Sequence, residues 1–244
     1  MRSLSARELL DVWEAGSAQP LVQRALLLLA VANPDLSYAA LSHQHLGQRD
    51  AQLLTLREWL FGPQLISMAS CPNCGERLQL TVSSRDLMAE THPVPESIAL
   101  VIDDYHVLYR LPDSTDLLAL AQCETAATSR ELLLQRCVQT ITRADQDQPI
   151  ETVPASVIEA IEAHMAQADP QADIQLDLSC PACQHHWLAA FDVVAFLWKE
   201  IDSWARRILS DIHVIASAYG WSEADILALS ATRRQTYLDL IGTT

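Results

Sequence analysis

The sequence has few glycines and almost no lysine. Its six glycines stand alone, at positions 16, 47, 62, 75, 220 and 242, so no glycine-rich loop is available to hold a phosphate group. There is a single lysine, Lys199, and the net charge is −15, which leaves no basic stretch for a nucleic-acid backbone. We therefore expect neither a small-molecule substrate nor a nucleic-acid partner.

Membrane and secretion signals are also missing. The longest uninterrupted apolar run, Ala25–Ala32, is far too short to cross a bilayer. The N-terminus has no apolar stretch followed by a small-residue cleavage site. We expect a cytoplasmic protein without a membrane partner.

Enzyme signatures are absent as well. The chain contains no HExxH, no GxSxG, and no His-x-Glu upstream of a Pro-Cys-x-x-Cys, the motifs of metalloproteases, hydrolases and zinc deaminases. We expect a protein that is not an enzyme. The alternative is an enzyme with a pocket in the middle of the chain, near Asp104 and His106.

Four of the six cysteines form two pairs, Cys71-Pro-Asn-Cys74-Gly and Cys180-Pro-Ala-Cys183-Gln. Each pair places two thiols on one tight turn, and two such turns can surround one zinc ion tetrahedrally. In a reducing compartment, metal binding is more common than disulfide formation. The sequence predicts a structural Zn²⁺ held by Cys71, Cys74, Cys180 and Cys183.

Strand-like segments flank both cysteine pairs. Apolar and polar residues alternate around the first pair and around the second, which predicts two β-hairpins, with strands at Leu65–Ala69, Arg77–Val82, Ile174–Leu178 and Trp187–Phe191. The alternatives are two unrelated turns with free thiols, or a redox dithiol. A redox pair normally opens a helix, so the strand-like flanks favour the metal.

The cysteine pairs are 105 residues apart, compared with roughly 15–20 in an ordinary zinc ribbon. We therefore predict a ribbon split by a large insertion. His185 and His186 follow the second pair closely and can replace a cysteine as ligand. Because four thiols are present, we expect both histidines to be neighbours of the site.

The inserted segment is strongly acidic. Residues 75–183 contain 18 Asp and Glu residues but only six Arg residues. Strands are predicted at Ile98–Ile102 and Tyr105–Leu111, with a turn at Asp103-Asp104. A helix is predicted from Ser114 to about Arg143, a loop over 144–153, and a second helix from Pro154 to Ala168.

The C-terminal part predicts one long amphipathic helix. Its apolar residues recur every three or four positions: Leu197, Ile201, Trp204, Ile208, Ile212, Ile215 and Tyr219. This helix packs on its own core or, alternatively, docks on a partner through its tryptophans. Gly220 ends it, and two short helices follow.

The fold class that these patterns predict is α+β and mainly α-helical. It is a split zinc ribbon of two CPxC β-hairpins, with an inserted acidic α/β segment and a C-terminal helical tail. The predicted units are an N-terminal helical region (1–64), the ribbon (65–92 and 172–192), the acidic insertion (93–171) and a C-terminal helical segment (193–244).

Several smaller signals favour ordinary structural roles. Cys123 and Cys137 lie in helix-like, apolar surroundings and are expected to be small buried thiols. His43-Gln-His45 has the spacing of a metal site, but no third ligand lies nearby in the sequence.

Several ordered segments together resemble a known family. They are Gly47-Gln-Arg-Asp50, Leu53-Leu54, Leu56-Arg57, Phe61-Gly62, Cys71-Pro-x-Cys74, and Tyr109-Arg-Leu-Pro112-Asp-Ser-Thr-Asp116. In this order they resemble the T4-type baseplate hub assembly proteins, or chaperones, of contractile phage tails. The C-terminal segments Phe196-Leu-Trp198, Tyr219-Gly-Trp221-Ser-x-x-Asp-Ile226 and Arg233-Arg234-x-x-Tyr237-Leu are similar to small proteins of phage-tail-like contractile injection systems.

The resemblance implies a non-enzymatic assembly factor or a minor structural component of a baseplate. Its partners would be baseplate or hub proteins of a contractile tail-like particle. The alternative is a zinc-ribbon regulatory protein or nucleic-acid adaptor, which the acidic composition disfavours.

Overall fold

The computed structural model describes residues 1–89 and 93–242. They form a mixed α/β structure that is 55% helical. The helices are α1 Ala6–Gly16, α2 Leu21–Ala32, α3 Tyr38–Ser42, α4 Leu46–Phe61, α5 Ser114–Leu120, α6 Ala126–Cys137, α7 Ala155–Ala168, α8 Val193–Tyr219, α9 Glu223–Leu227 and α10 Ala231–Gly242. The strands are β1 Gln64–Ser70, β2 Arg77–Ser83, β3 Ile98–Ile102, β4 Tyr105–Tyr109, β5 Val138–Arg143, β6 Gln146–Asp147, β7 Gln175–Ser179 and β8 His186–Ala190.

Two predicted boundaries, residue 92 of the ribbon and residue 244 of the C-terminal segment, lie outside the described residues. Within the described part of the chain, no helix has the length and apolar character needed to cross a membrane.

The largest core joins the N-terminal helices to the first half of α8. Helix α1 begins with a capping box, in which Ser5 accepts from the backbone of Glu8 and the Glu8 carboxylate accepts from the backbone of Ser5. Helix α2 is apolar on most of its surface because α1, α3, α4 and α8 surround it. The Trp198 ring of α8 packs directly on the α1 backbone at Gly16, where a Cβ atom would overlap the ring.

A second core lies in the acidic insertion. Four antiparallel strands in the order β3-β4-β5-β6 form its sheet. Tyr105, Val107 and Tyr109 of β4 are buried in one core with Val157 and Ile161 of α7. The predicted turn is confirmed, since Ile102 pairs with Tyr105 and Asp103 has a φ of 53°. Among non-glycine residues, Asp tolerates this left-handed backbone well.

The predicted continuous helix from Ser114 to Arg143 is wrong in two places. The chain leaves helical geometry after α5, and α6 starts anew with a capping box at Thr125 and Thr128. Residues Val138–Arg143 form strand β5, which pairs with β4. Val, Thr, Ile and Thr give this segment four β-branched residues, which fit a sheet better than a helix.

The predicted loop over 144–153 is also partly wrong, because it contains strand β6. A tight turn connects β5 to β6, and both of its residues, Ala144 and Asp145, have a positive φ.

The third core buries the second half of α8 against α9 and α10. The predicted apolar stripe is confirmed for Ile208, Ile212 and Ile215, whereas Trp204 is partly buried and Tyr219 is exposed. Trp221 packs against the rings of Tyr219 and Tyr237, with centroid distances of 5.0 and 4.9 Å. Trp198 is buried in the first core. Trp198, Trp204 and Trp221 therefore serve internal packing.

A buried carboxylate connects β4, α5 and α6. Asp116 is fully buried and accepts from Arg110 Nη1 at 2.7 Å and from Arg136 Nε at 2.7 Å. Burial alone raises the pKa of this carboxyl, but the donors Arg110, the Asp113 backbone and Arg136 outweigh it and lower the pKa to about 2. The charged form of Asp116 therefore stabilises the fold.

We expect Asp116→Asn to lower the free energy of unfolding by about 2 kcal/mol at pH 7, because both arginines lose a charged partner. Since the folded pKa is depressed, this stabilisation is present above about pH 4 and disappears as the pH falls toward 2. Urea unfolding at several pH values measures it. The exposed Asp104→Asn serves as control and should have little effect. A wild-type-to-variant difference that is constant between pH 7 and pH 2 contradicts the assignment.

Candidate metal centre

Two β-hairpins present the four predicted cysteines. Strand β1 pairs with β2 from Gln64↔Ser83 to Ser70↔Arg77, and β7 pairs with β8 from Gln175↔Ala190 to Ser179↔His186. Both hairpins are confirmed near the predicted boundaries. Each cysteine pair lies in the loop that joins the two strands of its hairpin.

The two cysteine turns have the same backbone structure. In the first, Cys71 N–H donates to Glu76 O and Gly75 N–H to Cys71 O, at 2.8 and 2.9 Å. In the second, Cys180 N–H donates to His185 O and Gln184 N–H to Cys180 O, at 2.9 and 2.8 Å. The residue after each second cysteine has a left-handed backbone, with φ of 76° at Gly75 and 58° at Gln184. Glycine adopts this geometry without steric cost.

The hairpins bring all four sulfur atoms together. Cys71 Sγ lies 3.7 Å from Cys183 Sγ, Cys74 Sγ lies 3.6 Å from Cys180 Sγ, and the four Sγ atoms are within 4.8 Å of one another. A disulfide needs about 2.05 Å, so these contacts are not covalent bonds. Zinc–sulfur bonds of about 2.3 Å in a tetrahedron place the sulfurs about 3.8 Å apart. The four cysteines can therefore hold one metal ion.

Local donors favour a thiolate at one position of the cluster. Asn73 Nδ2 donates to Cys183 Sγ at 3.5 Å, and this contact together with the backbone N–H of His185 lowers the pKa of the Cys183 thiol to about 6. The pKa of Cys74 is raised to about 12, since contacts with the other thiols outweigh the lowering by the Glu76 backbone. A bound cation is the group that allows four thiolates to coexist.

The two histidines after the second pair have contacts of their own. His186 Nδ1 lies 2.8 Å from Ser179 Oγ, and the His185 ring stacks on Trp187 with centroids 6.0 Å apart. The ligand atoms that converge in this region are the four cysteine sulfurs.

Arg57 fixes the base of the first hairpin. Its buried guanidinium donates to the carbonyl oxygens of Gly62 and Gln64, at 2.6 and 2.7 Å, where the chain passes from α4 into β1. It also forms a bidentate pair with Glu200 of α8, at 2.7 and 2.8 Å. A single side chain therefore ties the hairpin to two helices.

Two His–Asp contacts were not predicted from the sequence. His43 Nδ1 lies 3.0 Å from Asp113 Oδ2, and His45 Nδ1 lies 2.9 Å from Asp169 Oδ2. Asp169 also accepts from Gly47 N–H at the start of α4. Each histidine contacts a different carboxylate, so His43 and His45 do not converge on one site. Their two contacts join the N-terminal helices to the insertion at separate places.

The other predicted residues stand apart from the cysteine cluster. Cys137 is buried, and burial together with the Asp116 charge raises its thiol pKa to about 12; Cys123 is only partly buried. His106 is exposed on β4, and Asp104 pairs with Arg143 at 2.6 Å.

A comparison with protein-family models matches residues 41–198 to the family described as T4 bacteriophage base plate protein. The match covers well over half of the chain and includes both cysteine pairs, the whole insertion and the start of α8. The chain belongs to the T4 base plate protein family. The predicted resemblance is confirmed at this level.

Comparisons with curated proteins and with solved structures gave no match. Membership of the base plate family gives the chain a structural or assembly role related to a phage baseplate. Its partners are accordingly other baseplate proteins.

Proposed function

We propose that this protein is a non-enzymatic assembly factor, or a minor structural component, of the baseplate of a phage-tail-like contractile injection system. It acts by binding other baseplate proteins. The observation that supports this most directly is the family match, which extends from α3 to the first turns of α8 and encloses the cysteine cluster.

We further propose that Cys71, Cys74, Cys180 and Cys183 bind one structural Zn²⁺ and make residues 65–92 and 172–192 a split zinc ribbon. Four thiolates are the soft ligand set that zinc prefers, and they leave no coordination position open for a substrate. This supports a structural role for the metal. The reducing cytoplasm, where we place the protein, keeps such thiols available.

The distribution of charge supports protein partners over nucleic acid. Within residues 1–89 and 93–242, eight of the 16 Lys and Arg residues form ion pairs with carboxylates, namely Arg2, Arg49, Arg57, Arg110, Arg130, Arg136, Arg143 and Arg206. Phosphate binding needs unpaired cations on one face. A nucleic-acid adaptor is therefore the weaker alternative.

We expect the wild-type protein to contain one zinc ion per chain and Cys180→Ser to lose it. Loss of the metal should lower the thermal unfolding midpoint by several degrees, because a cross-link that closes a loop of about 100 residues removes about 5 kcal/mol of chain entropy from the unfolded state. Elemental analysis by plasma mass spectrometry and calorimetry measure both effects. Cys123→Ser is the matched control. Purified wild-type protein without zinc refutes the metal proposal.

We expect the affinity-tagged chain, co-expressed with the proteins of a contractile baseplate, to retain one or more of them. Retention should fall when the metal is lost in Cys180→Ser, because the ribbon holds the binding surfaces in place, and should persist in Cys123→Ser. Mass spectrometry of the purified mature particle then separates a subunit, which is present, from a chaperone, which is absent. Retention of nucleic acid without any baseplate protein refutes the proposed function.

A further inference from the structure

An open groove of about 530 Å³ lies between the two hairpins and α8. One side is β1, at Ile66, Ser67 and Met68, and the other is the end of β8 and the residues that follow it. Helix α8 and Phe61 close the floor. The groove is separate from the sulfur cluster, and none of its lining residues is a cysteine.

Unpaired strand edges border this groove. Strand β1 pairs with β2 and β8 pairs with β7, each in a sheet of two strands within the described chain. The groove is lined by Ile66, Ser67 and Met68 of β1 and by Ala190, the last residue of β8, but by no residue of β2 or β7, so the free edge of β1 and the end of β8 border it. Unpaired backbone N–H and C=O groups along such an edge can pair with an added strand.

Exposed apolar side chains stand along the same edge. Ile66 and Met68 are 62% and 52% exposed and, because they are two residues apart on β1, they point to the same side of the strand. Phe61 and Phe196 lie deeper in the groove and are partly buried. An edge with alternate apolar residues above an aromatic floor suits an extended peptide whose own apolar residues alternate.

The net unpaired charge in the groove is positive. Lys199 and Arg207 line it on α8, and within residues 1–89 and 93–242 no carboxylate forms an ion pair with either of them. Of the two acids that also line it, Glu200 is neutralised by Arg57. The other, Asp192, accepts from Ala195 N–H at the N-terminus of α8 and keeps its negative charge, so two unpaired cations share the groove with one carboxylate. Two unpaired cations in a chain of net charge −15 select for an acidic ligand.

We propose that the groove binds an extended segment of a baseplate protein by β-strand addition. The segment alternates apolar and polar residues and carries at least one Asp or Glu that contacts Lys199 and Arg207. This inference rests on the proposed function for the identity of the partner. The recognition chemistry itself follows from the groove.

The test uses the zinc-loaded full chain and a library of random twelve-residue peptides presented by mRNA display. Selected peptides are synthesised, and their dissociation constants are measured by fluorescence anisotropy. The variants are Ile66→Asp and Lys199→Glu. Val101→Asp is the matched control for the first, because Val101 is an apolar strand residue with the same 62% exposure on β3. Arg233→Glu, at an exposed position of α10, is the control for the second.

We expect the selected peptides to alternate apolar and polar residues and to contain an acidic residue. Their dissociation constants should rise at least tenfold with Ile66→Asp and with Lys199→Glu, and less than twofold with the controls. Zinc content and circular dichroism verify that all variants are folded. We expect them to fold, because the substituted side chains are exposed.

Three results would overturn the proposal. They are a selection that yields no binding peptides, peptides that bind Ile66→Asp as tightly as wild type, and a dimer of the chain in light scattering that Ile66→Asp dissociates. The last would make a second copy the occupant of the groove. Because the peptide assay uses no baseplate protein, a failure of co-purification refutes the proposed function separately.

Discussion

The convergence of four sulfur atoms at the ends of two hairpins is the constraint on which the rest of this structure depends. A two-stranded hairpin is marginally stable alone, and this fold contains two of them in separate sheets. The ends meet at the cysteines, where like-charged thiolates would repel one another without a cation. The proposed zinc ion therefore replaces the interstrand hydrogen bonds that a larger sheet would supply.

The opposite end of the first hairpin is held by a different interaction. Arg57 uses its planar group to bond two backbone carbonyls and one carboxylate, which fixes β1 relative to α4 and α8. The first hairpin is thus fixed at both ends, while the outer edges of β1 and β8 remain unpaired within the described chain. The groove follows from this pattern, because two strands that are anchored but not joined leave space between them.

Local patterns predicted most of the helices, both hairpins and the four cysteines that meet. Alternation around the Cys-Pro-x-Cys turns and the α8 stripe act over short distances, so they can be read from neighbouring residues. Strand β5 was mistaken for helix because its pairing with β4, some thirty residues earlier, decides its conformation. The Arg57–Glu200 and His45–Asp169 contacts join residues 143 and 124 positions apart, and no local signal marks such partners. The groove has the same origin, since its walls come from distant hairpins.

The wide spacing of the cysteine pairs means that the first pair is synthesised well before the second. Cys74 and Cys180 are 106 residues apart, and a ribosome adding about 5–20 residues per second needs roughly 5–20 s to make that interval. Throughout it, the nascent chain carries a half-site of two thiols without its counterpart. Oxidants and competing metals can reach that half-site during synthesis, whereas the finished protein buries Cys71 and Cys180. The proposed metal site is therefore most vulnerable before synthesis has passed Cys183.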